Sequence, residues 1–268
     1  MIEVNQLSKY YGNIRAVDSL SFNARPGEVL GFLGPNGAGK TTTMRMLSGF
    51  ITPTAGAAFI FGKSVSDNPL QAKQHIGYLP EGAPAYGEMT SLDFLSFIAD
   101  IRGLQHIAKK AAIASVVSRL QLRDVLAQPI GILSKGFKRR LGLAQALIHD
   151  PRILLLDEPT DGLDPNQKHE VRQLINEIST DKIIIVSTHI LEEVEAVCSR
   201  AIIVANGKIQ VDETPQALTE RSRYHNAVTL TFKTKKTAEK LAAIQRLLTD
   251  LPQIVSVEYA SDQHHLTA

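Results

Sequence analysis

The segment Gly34–Thr41 constrains the fold of this chain more than any other feature of its sequence. A glycine, four further residues and then Gly39-Lys40-Thr41 stand between a short apolar run, 29–33, and a stretch with helical spacing, 42–49. In a loop between a strand and a helix, glycines let successive backbone N–H groups turn towards an anion, and the dipole of the following helix adds to the attraction. A lysine and a threonine at these positions suit the β- and γ-phosphates and a magnesium ion. The sequence therefore predicts an α/β core around a polyphosphate site.

A pair of carboxylates follows a second apolar run. Ile153–Leu156 has the composition of a buried strand and ends in Asp157-Glu158. Because ligands bind at the carboxyl ends of strands in open α/β sheets, we expect this pair beside the glycine-rich loop. Asp157 is placed to hold Mg²⁺ directly or through water. Glu158 is then free to orient or deprotonate an attacking water.

The remaining pattern predicts an α/β fold with a mainly parallel sheet that helices cover. Two strands, 2–8 and 16–25, flank a polar turn and favour an antiparallel β subdomain at the N-terminus. Residues 88–150 lack β alternation and predict an inserted α-helical subdomain, with helices over 91–98, 107–120 and 137–149. Short strands and helices then alternate, which is typical of a parallel sheet: strands 153–156, 183–186, 202–205 and 208–211, and helices 165–179 and 190–197.

A separate piece follows the core. Val228, Leu230 and Phe232 alternate as in a strand, residues 237–250 have helical spacing, and residues 254–259 predict another strand. We therefore expect one domain over residues 1–222 and a small C-terminal α/β module over residues 225–268. The chain ends shortly after this last strand, which leaves the completeness of the module open.

Composition and charge exclude several classes of protein. Lys and Arg total 29 and Asp and Glu total 27, a net charge of +2, so nucleic acid is not an expected partner. Cys198 is the single cysteine, so an internal disulfide is impossible. No apolar stretch approaches the ~20 residues of a membrane helix, and residues 1–4 lack the order of a signal peptide. These features are typical of an intracellular globular protein.

The segment 133–140, Leu-Ser-Lys-Gly-Phe-Lys-Arg-Arg, precedes a helix. A serine and a glycine at a helix start provide a second anion site. The segment carries four cations, and we interpret them as a solvated helix face, because no aromatic residues interleave with them as base stacking requires.

The order of these motifs resembles the nucleotide-binding subunit of ABC transporters, and more closely the subfamily that exports drugs, polysaccharides and other compounds. The resemblance covers residues 2–218. Within it, 157–160 is similar to the Walker B segment of the family, 162–164 to the D-loop, and 187–189 to the segment of the switch histidine.

The resemblance implies a role for each matching residue. It implies ATP and Mg²⁺ as cofactors and a catalytic group made of Glu158, His189 and Lys40. Tyr11, rather than its neighbour Tyr10, matches the aromatic residue that stacks on adenine. Other nucleotide-contacting positions are those of the phosphate loop, of the signature segment and of the D-loop: Gly34, Pro35, Asn36, Gly37, Ala38, Gly39, Lys40, Thr41, Thr42, Ser134, Gly136 and Asp164. The implied metal ligands are Thr41, Glu81 and Asp157.

Two positions depart from the pattern of the family. The signature usually reads Leu-Ser-Gly-Gly-Gln, whereas Lys135 and Phe137 replace its first glycine and its glutamine here. The serine and the second glycine are retained, so the anion site is expected to persist. Glu81 stands where the family usually has the glutamine of the Q-loop. A carboxylate also ligates Mg²⁺, but it adds a negative charge near the γ-phosphate that would slow hydrolysis.

The resemblance further implies an engine that works as a pair. Two copies of the chain would enclose two ATP molecules, with Ser134 and Gly136 of each copy completing the site of the other. Separate membrane permeases would carry the cargo, which places the chain in the cytoplasm on the inner face of the cell membrane. An importer subunit, a soluble ABC ATPase of the DNA-repair or translation type, and a P-loop GTPase or kinase are the alternatives. The lack of an Asn-Lys-x-Asp motif speaks against the last.

Overall fold

The computed structural model describes residues 1–82, 86–221, 229–231, 238–249, 258–259 and 265–267. The chain divides into two units, Met1–Pro215 and Gln216–Ala268. Every residue that the sequence singles out for the site lies in the first unit.

The strands of the first unit form two sheets. In chain order they are β1 (Ile2–Tyr11), β2 (Ile14–Ala24), β3 (Val29–Leu33), β4 (Ala55–Ile60), β5 (Lys63–Ser64), β6 (Ile76–Leu79), β7 (Ile153–Asp157), β8 (Ile183–Thr188), β9 (Arg200–Ala205) and β10 (Lys208–Glu213). An antiparallel sheet has the order β2-β1-β4-β5, and a second sheet has the order β10-β9-β3-β8-β7-β6. All neighbours in the second sheet are parallel except β10 and β9.

Within the described residues, the first unit contains seven α-helices, and an eighth begins at its last residue, Pro215. They are α1 (Lys40–Leu47), α2 (Pro69–Gln74), α3 (Ser91–Ile101), α4 (His106–Arg119), α5 (Lys135–Leu147), α6 (Pro165–Ile178) and α7 (Leu191–Val197), and α8 spans Pro215–Glu220. Two short 3-10 turns, Arg123–Val125 and Ile130–Ile132, join α4 to α5.

The buried character of the central strands explains the parallel sheet. Every residue of β7 and β8 is buried, and so are four of the five residues of β3. Strands of this kind must be covered on both faces, which parallel crossovers through helices achieve. Phe22 and Phe32 meet edge to face with ring centroids 5.1 Å apart, and the methionines of α1, Met44 and Met46, lie in the same core. The two sheets therefore share one hydrophobic core with α1.

Register brings the ends of four strands to one edge of the sheet. Leu33, the last residue of β3, pairs with Thr188 of β8, while Asp157 of β7 pairs with Ser187. Leu79 of β6 pairs with Leu156. The loops that follow these strands consequently start side by side.

The helical segment follows its capping signals. The Oγ1 atom of Thr90 accepts a hydrogen bond from the Asp93 amide at 3.1 Å, so Thr90 is the N-cap of α3. The N-cap of α5 is Ser134, and the helix begins two residues earlier than the sequence pattern predicts. The serine hydroxyl satisfies a backbone N–H of the first turn, and the helix can therefore start directly after it.

The antiparallel hairpin also differs from expectation in its bounds. The sequence predicts that Tyr11 lies in a turn, but β1 runs on to this residue and pairs it with Ile14. Gly12 has a φ of 58°, a left-handed conformation that glycine adopts at little cost. The turn therefore contains only Gly12 and Asn13.

The second unit contains an antiparallel sheet of order β11-β13-β12 and a helix, α9. Their bounds are β11 (Thr229–Thr231), β12 (Glu258–Tyr259), β13 (His265–Thr267) and α9 (Ala238–Thr249). The predicted helix over 237–250 and the predicted strand around Leu230 are found here. Val228, Phe232, residues 254–257 and the proposed domain boundary at 222–225 lie outside the described residues. Within the part of the chain that the structure describes, every helix is too short or too polar to cross a bilayer.

Gly77 sets how closely α5 packs on β6. A Cβ atom at this position would lie 2.0 Å from the carbonyl oxygen of Ala146 in α5. We expect Gly77→Ala to push the helix off the strand and to lower the free energy of unfolding by about 2 kcal/mol, as overpacking does. Urea denaturation of the full chain measures this change.

Gly87→Ala provides the matched control for Gly77→Ala. The nearest atom to a Cβ at Gly87 would be 3.7 Å away, which is an ordinary contact. Equal stability of the two variants would contradict the close approach of α5 to β6.

Candidate functional site

The glycine-rich loop joins the end of β3 to the start of α1. Gly37 and Gly39 have positive φ values of 80° and 107°, which favour glycine. A Cβ atom on Gly39 would lie 2.4 Å from the carbonyl oxygen of Ala16, and one on Gly34 would lie 2.2 Å from that of Val204. Packing against the neighbouring strands therefore requires glycine at positions 34 and 39, whether or not a ligand is bound.

Lys40 places a buried cation at the mouth of this loop. The residue is 6% exposed, and its Nζ atom donates hydrogen bonds to the carbonyl oxygens of Gly34 at 2.7 Å and Pro35 at 3.2 Å. The same Nζ atom lies 3.8 Å from a carboxylate oxygen of Glu158. The charge is thus held between the loop and the end of β7.

The other predicted residues of the loop differ in exposure. Pro35, Asn36 and Gly37 are exposed, whereas Ala38 is buried and its carbonyl oxygen accepts a hydrogen bond from the Gly207 amide at 3.0 Å. Thr41 and Thr42 are half-buried in the first turn of α1. Backbone amides at the tip of the loop and two hydroxyl groups at the helix start are therefore accessible to a ligand.

Asp157 carries one carboxylate oxygen that no described residue binds. The residue is fully buried, and its Oδ1 atom accepts a hydrogen bond from the hydroxyl of Ser187. Its Oδ2 atom is also buried, yet it has no hydrogen-bond partner among the described residues. A buried anionic oxygen without a partner is costly, and a cation at this oxygen would remove the cost.

The carboxylate of Glu158 lies between the side chains of Lys40 and His189. It lies 3.8 Å from Lys40 Nζ on one side and 3.0 Å from His189 Nδ1 on the other. His189 is exposed and follows the last residue of β8. The structure thus brings together the three residues of the predicted catalytic group. Roles for them remain a prediction of the sequence.

The backbone of Glu158 is unusual. Its φ is 52°, in the left-handed region that costs a residue with a side chain about 1–2 kcal/mol. The amide of Glu158 donates to the carbonyl and hydroxyl oxygens of Ser187, each at 3.1 Å. Such strain persists only where the surroundings hold it, and it clusters at functional sites.

The signature segment lies beside the D-loop. Ser134 is exposed, and its hydroxyl accepts a hydrogen bond from the Phe137 amide at 3.3 Å. A Cβ atom on Gly136 would lie 2.6 Å from the side-chain oxygen of Gln167. Asp164 caps α6 by accepting from the Gln167 amide at 2.9 Å. No hydrogen bond or ion pair within the described ranges joins Ser134 or Gly136 to the glycine-rich loop.

Apart from Asp157, Tyr11 and Glu81 are the two predicted site residues that lie outside the loop, signature and D-loop segments and the catalytic group. Tyr11 is 47% exposed, with the Lys9 ammonium 5.3 Å from its ring centroid. Tyr10 instead directs its hydroxyl towards Asp18 at 3.5 Å, which leaves Tyr11 the more available ring. Glu81 is exposed just beyond β6, at the sheet edge where Asp157 lies.

Sequence reasoning missed Glu193, a buried carboxylate on α7. The hydroxyl groups of Thr160 and Thr188 donate to its two oxygens at 2.6 and 2.7 Å, and Lys168 Nζ donates at 3.1 Å. Burial alone would raise the pKa of Glu193, but these hydrogen bonds and the Lys168 charge hold the pKa below its usual value. Glu193 thereby ties the residue before His189 to the segment after Glu158. Only tertiary contacts reveal this role.

Sequence reasoning also misassigned the cations of α5. Arg139 and Arg140 are 5% and 7% exposed and are not part of a solvated face. Helical spacing could have indicated this burial, because a step of four residues places Arg139 on the same face as Leu143 and Leu147. Lys135 is exposed, as expected, and Lys138 is half-buried.

The segment that carries the glycine-rich loop and the pair Asp157-Glu158 matches a known family. A model of the ABC transporter family matches residues 17–161, more than half of the chain. The chain belongs to the ABC transporter family. It is an ATP-binding protein of that family, whose ATP-binding domains are ATPases, and the predicted family, ATP binding and ATPase activity are confirmed.

Relatives within the ABC transporter family are named for transport. The chain is 40% identical over 217 residues to the bacitracin transport ATP-binding protein BcrA of Bacillus licheniformis, a match that covers 80% of this chain and 70% of BcrA. It is 38% identical over 220 residues to the Nod factor export ATP-binding protein I of Burkholderia pseudomallei, a match that covers 82% and 72% of the two chains.

A solved ABC structure shares the fold. The ATP-binding cassette MJ0796, a dimer in a post-hydrolysis state bound to ADP and Pi, superposes with a TM-score of 0.75. The match has 21% identity and covers 80% of this chain and 99% of that one. The predicted fold, with its antiparallel subdomain and mainly parallel sheet, is confirmed.

The tether at Glu193 generates a prediction on stability. We expect Glu193→Gln to lower the free energy of unfolding at pH 7 by about 2 kcal/mol, because an amide cannot replace a buried carboxylate that accepts three hydrogen bonds. Because the pKa of Glu193 is lower in the folded state than in the unfolded state, the ionised carboxylate stabilises the fold at pH values above 4.5, the ordinary pKa of this group. This stabilisation is lost as the pH falls through the lower pKa of the folded state. The difference from wild type should therefore narrow below pH 4.5.

Urea denaturation at several pH values measures the effect of Glu193→Gln. Glu192→Gln is the matched control, since Glu192 is its exposed neighbour on α7. A stability difference that stays constant with pH would contradict the ionised tether.

Proposed function

We propose that the chain is the ATP-hydrolysing engine of an exporter, and that its chemistry is carried by Lys40, Glu158 and His189. The observation that carries this proposal is the position of the Glu158 carboxylate, which lies within 4 Å of both Lys40 Nζ and His189 Nδ1 at the end of β7. A carboxylate at the mouth of a phosphate loop can accept a proton from a water that attacks the γ-phosphate. Lys40 stabilises charge on the β- and γ-phosphates, and His189 orients Glu158.

The accessible residues of the loop bind the nucleotide in this proposal. The loop 34–39 surrounds the phosphates with the backbone amides of Asn36, Gly37 and Gly39. Lys40, Thr41 and Thr42 add their side chains, and the dipole of α1 adds to the attraction. The exposed ring of Tyr11 stacks on adenine, which the availability of this ring supports.

The donor set fits a magnesium ion. Asp157 Oδ2, buried and without a partner among the described residues, would hold Mg²⁺ together with Thr41 and Glu81. When bound, Mg²⁺ neutralises part of the phosphate charge. The described residues contain no group of three or more His, Cys, Asp or Glu side chains suited to a metal. This agrees with an ion that relies on substrate oxygens and water for its other ligands.

A second copy of the chain completes each site. Ser134 and Gly136 lie beside the D-loop and have no bond to the glycine-rich loop of their own protomer within the described ranges. In our proposal they contact the γ-phosphate on the partner, and Asp164 crosses the same interface. The dimeric state of MJ0796 supports this arrangement. Hydrolysis would remove the bridging phosphate and open the dimer.

The partners and the location follow from the engine role. We propose that two copies act on separate membrane permeases, at the inner face of the cell membrane, with a docking surface near Glu81. The name of the Nod factor export relative supports export, and an importer is not favoured. Residues 1–222 would form the engine with its helical subdomain at 88–150, and residues 225–268 an added module.

The role of Glu158 as the base predicts a trapped state. Glu158→Gln should lower the turnover number at least about 100-fold, the order of effect of a lost general base, while ATP binding persists. Steady-state phosphate release and equilibrium ATP binding measure the two quantities on the full chain. Glu170→Gln, on the exposed face of α6, is the control. Turnover near wild type in Glu158→Gln would exclude Glu158 as the base.

If Ser134 and Gly136 of each copy complete the ATP site of the other, a variant at Ser134 should bind ATP without forming the dimer. Aspartate is as good an N-cap as serine, so Ser134→Asp should preserve α5 while placing a negative charge against the phosphate of the partner. We expect ATP-dependent dimerisation in the Glu158→Gln background to weaken at least about tenfold, because like charges across an interface repel. Sedimentation velocity with ATP measures it. A dimer of unchanged affinity would contradict the contact in trans.

A further inference from the structure

The guanidinium of Arg139 is buried among backbone carbonyl groups. Its Nη1 atom donates to the Pro80 oxygen at 3.0 Å and its Nε atom to the Pro159 oxygen at 3.3 Å. Its Nη2 atom donates to the oxygens of both Asp157 and Glu158. The side chain therefore joins α5 to the segment after β6 and to the end of β7.

Two of these acceptors flank the strained residue of the site. The carbonyls of Asp157 and Glu158 lie on either side of the left-handed φ of Glu158. The amide of Glu158 is fixed separately by Ser187. Arg139 and Ser187 together thus hold a backbone conformation that an unsupported glutamate would leave.

The held conformation decides where the Glu158 carboxylate points. In this conformation the carboxylate faces Lys40 and His189. If Glu158 relaxed to an ordinary negative φ, the path of the chain and the direction of its side chain would change. A displacement of about 1 Å is enough to lower a rate about 100-fold.

We propose that Arg139 is the positioning residue that holds Glu158 in its reactive orientation. The proposal rests on the role of Glu158 proposed above. Arg139 is placed outside the nucleotide contacts, because the four hydrogen bonds that its guanidinium donates all go to backbone carbonyl groups. It acts through Glu158 alone, so its loss slows turnover and leaves ATP binding intact.

Arg140 provides a matched control on the same helix. It is equally buried, its guanidinium stacks on the Phe137 ring at 4.4 Å, and its Nη1 atom donates to the Leu120 oxygen at 3.4 Å. Its contacts therefore lie within the helical segment and not at Glu158. Comparing substitutions of Arg139 and Arg140 therefore separates the general effect of losing a buried arginine from the effect of losing the contact with Glu158.

The first experiment compares steady-state kinetics of Arg139→Met, Arg139→Lys and Arg140→Met in the full chain. We expect kcat of Arg139→Met to fall about 100-fold, with the KM for ATP within about threefold of wild type. Arg139→Lys keeps the charge but has fewer donors, so its kcat should fall about tenfold, while Arg140→Met stays within about threefold. Wild-type kcat in either Arg139 variant, or an equal loss in Arg140→Met, would overturn the proposal. If Arg139→Met does not fold, Arg139→Lys decides alone.

A double-mutant cycle separates positioning from a purely structural role. Single-turnover hydrolysis is measured for Arg139→Met, Glu158→Gln and the double variant. If Arg139 acts through Glu158, the double variant should be no slower than Glu158→Gln alone, because residues that act as a unit are non-additive. Losses that multiply would overturn the proposal. If Glu158→Gln itself keeps wild-type turnover, the proposed role of Glu158 as the base is wrong. Any loss of turnover in Arg139→Met must then have a cause other than the position of Glu158.

Discussion

The parallel register of β3, β8 and β7 is the constraint on which the site depends. It aligns Leu33 with Thr188 and Ser187 with Asp157, so the glycine-rich loop, the histidine and the carboxylate pair leave the sheet at one edge. These three strands hold the register because they are buried on both faces and a slip would unpair a buried ladder. Placement of the chemistry is thus a result of core packing.

Side chains at this edge are then fixed by contacts that differ in kind. Lys40 is held by carbonyl groups of its own loop, and Asp157 by the hydroxyl of Ser187. Glu193 accepts hydrogen bonds from Thr188, the last residue of β8, and from Thr160, two residues after Glu158. All three arrangements use short-range hydrogen bonds in a buried setting, where each bond is strong and a missing partner is costly.

The sequence was informative where local chemistry decides the structure. The glycine-rich loop and the strand ending in Asp157 both follow from residue types at fixed spacing, and the fold found agrees with them. It was uninformative at β6, whose four residues Ile76–Leu79 are too few to show a period, and at α2. The hydrogen bonds of Arg139 and the tether of Glu193 depend on partners distant in the chain. A single sequence carries no signal for such pairs.

Helix α5 links two residues with different proposed roles. Ser134 stands at its N-terminal cap, and Arg139 follows five residues later, about 7.5 Å along the axis at the rise of an α-helix. If Ser134 moved when it bound the nucleotide of the partner copy, the start of α5 would move with it. Arg139, on the same helix, would transmit this movement to the backbone of Glu158. Occupancy of one site would then be felt at the other, and thermodynamic linkage makes that cooperativity equal in both directions.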